Sequence, residues 1–143
     1  MKTLRTITAA LLTVISFSAF ASNENGIRND KLKLSYPVQT FVDAVAHGKV
    51  SALPQVLDKE VKYTTTQGTK IVSFNRSQML KSFESMSGVE QNCSTEYSVV
   101  ESTPTISLVK VTMKYEGFSK ITYLNMVNTA NGWKITSISS SIL

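Results

Sequence analysis

The stretch "TISLVKVTMKYEGFSKITYLNMVNTANGWKITSIS", residues 105–139, decides the fold. Apolar and polar residues alternate along it with a period of two, the spacing at which β-strand side chains point to opposite faces. The alternation breaks at Glu116-Gly117 and again at Asn131-Gly132. Asn-Gly between two alternating runs is a strong signal for a two-residue hairpin. With "QNCSTEYSVVES" (91–102) before it and "SIL" closing the chain, four consecutive strands are predicted, joined by short turns. That is an antiparallel meander.

Register follows from the turns. With two-residue loops, one face collects Val109, Val111, Met113, Leu124, Met126, Trp133 and Ile135, and this face is assigned to the helices. The other carries Lys110, Thr112, Lys114, Lys134 and Thr136, but also Ile106, Leu108, Ile121, Tyr123, Val127 and Ile138. So much apolar surface is more than solvent normally meets. A homodimer through this outer sheet face, by a two-fold contact, is the expected explanation.

Upstream the period lengthens to that of a helix. In "YPVQTFVDAVAHGKV" (36–50), Val38, Phe41, Val42 and Val45 share one face, Ser35 is the expected N-cap, and Pro37 sits in the first turn. Gly48 stands where a left-handed C-terminal residue is expected. His47, the single histidine, falls on the polar side beside Asp43 and Gln39. It reads as a surface residue favoured by the helix dipole. A short second helix follows, with Val50, Leu53, Val56 and Leu57 inward, then two strands around Gly68. Asn75 and Gln78 form an expected capping box, with Phe74 and Met79 flanking it as a hydrophobic staple. Met79, Leu80, Phe83 and Met86 make the buried stripe of that helix. Helices first and strands last give an α+β class.

Residues 1–21 have a basic start, Lys2 and Arg5, an apolar run from Ala9 to Phe20, and a small-residue end, Ala19-Phe20-Ala21. That pattern is a secretory signal peptide, shorter than the roughly 20 apolar residues of a membrane span. The chain is therefore expected to be exported, periplasmic or secreted, with no membrane span. Residues 22–34 read as a flexible leader and 35–143 as one domain. The net charge is +5, carried mainly by scattered lysines, with only three arginines. A nucleic-acid groove would cluster arginine with aromatics, so no nucleic-acid partner is expected. Cys93 is the single cysteine; no internal disulfide is possible, and a buried, inert thiol is expected.

The order of helix, short helix, short strands, helix and four-strand meander resembles the nuclear transport factor 2-like superfamily. The resemblance spans about residues 35–143. It is carried by "FVDAVAHGKVSALPQVLDKEVKY" (41–63) and by the terminal "NGWKITSIS" (131–139). Within the superfamily the chain is most similar to small exported bacterial members of the polyketide-cyclase-like and lumazine-binding-like groups. The resemblance implies a cone: a curved antiparallel sheet wrapped around the N-terminal helices. One departure stands out, since Gly48-Lys49 occupies a place that commonly reads Gly-Asp in the superfamily.

Enzymes of that superfamily place Asp or His inside the cone, because a general base needs a tuned pKa in a dry cleft. Here Asp30, Asp43 and Asp58 fall in leader, helix surface and loop. Glu96 is mid-strand and expected to face solvent. No catalytic residue, metal ligand set or cofactor is therefore expected. What remains is a cone in which Tyr63, Tyr97, Tyr115, Asn128 and Trp133 could line a pocket for a small apolar ligand. The same residue types also fill a core without a cavity, and the sequence leaves both open. The expected function is a non-catalytic exported binding domain, for a small molecule or another protein chain. The alternative is a cyclase- or isomerase-type enzyme using the cone pocket.

Overall fold

The computed structural model describes residues 29–143. The expected signal peptide and residues 22–28 lie outside the described residues. Helices α1 (Ser35–His47) and α2 (Leu53–Val56) come first, followed by strands β1 (Leu57–Gln67) and β2 (Lys70–Asn75). Helix α3 (Arg76–Glu84) then leads to the meander β3 (Ser94–Ser102), β4 (Ile106–Lys114), β5 (Ser119–Thr129) and β6 (Gly132–Ile142). The six strands form one open, curved sheet in the order β2-β1-β6-β5-β4-β3. Every pairing is antiparallel except β1 against β6, which run parallel. The class is α+β and the architecture is the expected one.

Local chemistry explains most of the elements. In α1, Val38, Phe41, Ala44 and Val45 are buried on one stripe. Gly48 ends the helix at φ 64°, and a Cβ there would lie 2.6 Å from the backbone nitrogen of Val89. Both the left-handed backbone and the close approach require glycine. Ser35 does not cap α1: Leu34 holds that position in a helical conformation with no side-chain bond. The reason is upstream. Residues 29–34 already form helical turns, in which Tyr36 donates from its backbone to Lys33, so no extended cap is needed. This end of the expected leader packs on the β5–β6 hairpin, where a Cβ on Gly132 would meet the Lys31 carbonyl at 2.9 Å. The capping box of α3 forms as expected, with Gln78 N–H donating to Asn75 Oδ1 at 2.9 Å and Asn75 N–H to Gln78 Oε1 at 3.0 Å.

The sheet's inner face reads in rows across the strands. One row runs Val99, Val109, Leu124, Ile138, Tyr63, Phe74; the next runs Tyr97, Val111, Thr122, Ser140, Thr65, Val72. Val109, Val111, Leu124, Met126, Ile135 and Ile138 are fully enclosed beneath α1, α2 and α3. Each such side chain contributes about 1.5–3 kcal/mol.

Two details of register depart from the sequence reading. The β5–β6 loop is Ala130-Asn131, because Thr129 pairs with Gly132. The pairing shifts by two residues and so preserves which side chains face inward. A β-bulge then lies between Met126–Ile135 and Asn125–Ser137, with Thr136 Oγ1 donating to the Asn125 carbonyl at 3.2 Å. The extra residue flips the rest of β6. Ile138, assigned to the outer face by simple alternation, is therefore in the core with no exposed surface.

Candidate functional site

A cavity of about 110 Å³ opens between α3 and the β1–β2 end of the concave face. Its walls come from separate elements. Tyr63 of β1 and Phe74 of β2 are cross-strand partners whose rings stack at 5.9 Å and 23°. Phe83 of α3 tilts toward Tyr63 at 6.5 Å and meets Phe41 of α1 edge-on at 6.5 Å. Such ring pairs add about 0.5–1.5 kcal/mol beyond their buried area. Met79 and Met86 close the apolar floor, and Ser82 brings a hydroxyl. Lys120 of β5 completes the lining. It pairs across the sheet with Met113 and Ile142, and its Nζ lies 6.0 Å from the Tyr63 ring centre.

Alongside runs a polar seam. Thr122 and Ser140, both buried, share a hydrogen bond of 2.7 Å. The pair satisfies two hydroxyls that would otherwise be costly in the core. The lining of the cavity contains no carboxylate and no histidine. Among the described residues the ion pairs are Lys33–Asp30, His47–Glu90, Lys49–Asp43 and Lys114–Glu96, and Lys120 belongs to none.

Of the five residues proposed from sequence to line a pocket, the structure brings only Tyr63 to this cavity. Tyr97 sits on β3 in a shallow cleft with Gln39, Val42 and Asp43 of α1. Tyr115 stacks on Phe118 at 4.5 Å and 11°, and its hydroxyl donates to Gln91 Oε1 at 3.4 Å. Burial first, and the neighbouring Cys93 second, push the Tyr115 pKa above its ordinary value. Asn128, near the end of β5, ties that strand to the β3–β4 turn, its Nδ2 donating to the Pro104 carbonyl at 3.1 Å. Trp133 is Asn128's cross-strand partner and packs half-buried on the core. Alternation places side chains on a face, but not at a common point along it.

The candidate bases lie elsewhere. His47 Nδ1 meets Glu90 Oε1 at 2.5 Å at the end of α1, and Glu96 pairs with Lys114 at 3.0 Å on exposed surface. Cys93 is free and half-buried beside Tyr115, more open than expected from sequence. Lys120 was missed, although a signal existed: it shares parity with Thr122, Leu124 and Met126, the inward residues of β5. A wider groove of about 710 Å³ runs past Lys59, Arg76 and Lys81. It is largely open to solvent, and Arg76 there is held by the Pro54 carbonyl at 2.9 Å.

Residues 29–139 match the family model described as "Putative lumazine-binding". No curated protein matches the chain in sequence. Among solved structures, an NTF-2 like protein of unknown function from Silicibacter pomeroyi is similar, at 18% identity and a TM-score of 0.67, over 83% of this chain and 98% of that one. A ketosteroid isomerase-like protein from Erwinia carotovora atroseptica is similar at 12% identity and a TM-score of 0.58, over 80% and 98%. An NTF2-like protein of unknown function in nutrient uptake from Rhodospirillum rubrum aligns at 13% identity and a TM-score of 0.58, over 78% and 98%. At these identities the likeness shows the fold alone.

Proposed function

The chain belongs to the putative lumazine-binding family, within the NTF2-like superfamily, and from that premise we propose an exported, non-catalytic binding domain whose concave cavity takes a small molecule. The observation that carries this reading is the lining: aromatic rings and methionines around a single lysine, without an acid or histidine to act as general base. A base must lie within hydrogen-bond reach of the proton it removes. The exposed Glu96 and the His47–Glu90 pair at the helix end do not meet that condition. Ring-lined, mostly apolar concavities with a few polar groups are what small ligands occupy. The cavity's size suits one ring or a short branched chain rather than a large cofactor.

Two further parts of the reading rest on other residues. Export is supported by the basic, apolar and small-residue sequence of residues 1–21. Association of two copies is supported by the outer face, where Ile106 and Tyr123 are exposed beside the half-buried Leu108, Ile121 and Val127.

Native mass spectrometry of the protein purified from its own host tests the binding reading. A bound small molecule, lost when Met79→Trp fills the cavity in a variant that still folds, is the expected result. Only the bare chain mass, in repeated preparations, overturns it. A bound compound that the protein converts into another would overturn the non-catalytic part.

A further inference from the structure

We infer that the cavity selects for an anion: its ligand is a small organic acid whose one apolar ring or short branched body enters between Tyr63, Phe74 and Phe83, with its carboxylate against Lys120. This rests on the binding reading above and adds the charge of the ligand. The first ground is the position of Lys120. Register puts it on the concave face, in a row with the buried Met113 and with Ile142. A lysine on an inward row is disfavoured unless its head reaches water or a partner. The head here reaches back over the sheet to the Tyr63 ring, 6.0 Å from its centre, at the edge of the cavity.

The second ground is compensation. No ion pair among the described residues includes Lys120, and no acid lines the cavity. An entering carboxylate therefore displaces no protein anion, and it gains a charge-assisted hydrogen bond in a partly desolvated place. Tyr63 and Ser82 contribute hydroxyls to the same lining, and Tyr63 Oη has no protein partner among the hydrogen bonds of the described residues. The third ground is the floor. Met79 is 1% exposed and Phe83 7%, so the part of the wall they form is apolar, and a second charged group placed against it would be desolvated without a partner.

Benzoate and benzamide, matched in shape and differing in charge, separate the two readings. Each is titrated calorimetrically into the full chain, the Lys120→Met variant and the Lys120→Arg variant. Benzoate is expected to bind the unaltered protein at least tenfold tighter than benzamide, and more weakly as salt is raised. Lys120→Met should bring benzoate down to the level of benzamide, while Lys120→Arg keeps the preference. Equal affinity for the two probes, or a preference that survives Lys120→Met, overturns the anion inference while benzamide binding upholds the cavity. Failure of both probes to bind overturns both.

Discussion

At the scale of the residue, a few positions have effects that the structure isolates. Gly48→Ala forces a side chain into a left-handed backbone at φ 64° and against the Val89 and Gly88 backbone nitrogens at 2.6 and 2.7 Å. Gly68 has a similar φ of 61° but open space around it. Urea unfolding should show Gly68→Ala costing about 1 kcal/mol and Gly48→Ala about 2–4 kcal/mol, the excess being steric. Equal costs would refute the close approach. Tyr115 gives a pH signature. Its pKa is raised in the folded chain, so its contribution to stability is complete below the ordinary tyrosine value near 10 and is lost as pH rises through the higher folded value. Tyr115→Phe should therefore flatten the alkaline fall in the unfolding midpoint above about pH 10. An unchanged alkaline slope would contradict the assignment. Gly48, Pro37 and the Asn75–Gln78 box were legible in the sequence, because capping and turn chemistry act within a few residues. The Glu90 partner of His47 was not, since 43 residues separate the two.

At the scale of the element, the bulge in β6 is the feature that alternation could not reveal. It makes a discriminating prediction. Ile138→Ala should destabilise by about 2–4 kcal/mol, because a fully buried isoleucine leaves a cavity, whereas Thr136→Ala, which loses one hydrogen bond to the Asn125 carbonyl, should cost about 0.5–1 kcal/mol. Simple alternation puts both residues on the outer face and predicts two small effects; thermal or urea unfolding of the two variants decides. The same strand logic carries the candidate site. β5 alternates cleanly, which is why Leu124 and Met126 were assigned correctly and why Lys120 could have been. β3 differs. It is one of the two edges of the sheet, β2 being the other, and Tyr97, Val99 and Val100 are 41%, 47% and 53% exposed. Its apolar content reads like a core strand, yet α1 meets it only across an open cleft, where Gln39, Val42 and Asp43 face Thr95, Glu96 and Tyr97.

At the scale of the whole molecule, the outer face makes the last prediction. If two copies meet there, light scattering of the unaltered protein gives twice the chain mass, and Tyr123→Asp gives the monomer mass with the fold retained by circular dichroism. A monomeric unaltered protein ends that reading. Sequence by itself determined the class, the element order and which faces of β4, β5 and the first part of β6 turn inward. Those properties follow from periodicity and from short-range turn and cap chemistry. Only the tertiary structure decided that Tyr63 meets Phe74, Phe83 and Lys120, while Tyr97, Tyr115, Asn128 and Trp133 lie apart. The same folding put Ile138 inside and closed the sheet's one parallel seam between β1 and β6. The reason is geometric. A site is a coincidence in three dimensions of residues distant in the chain, here Tyr63 and Lys120, and it depends on how far each strand slides and bends against its neighbour. Local pattern fixes a side chain's face but not its place along that face.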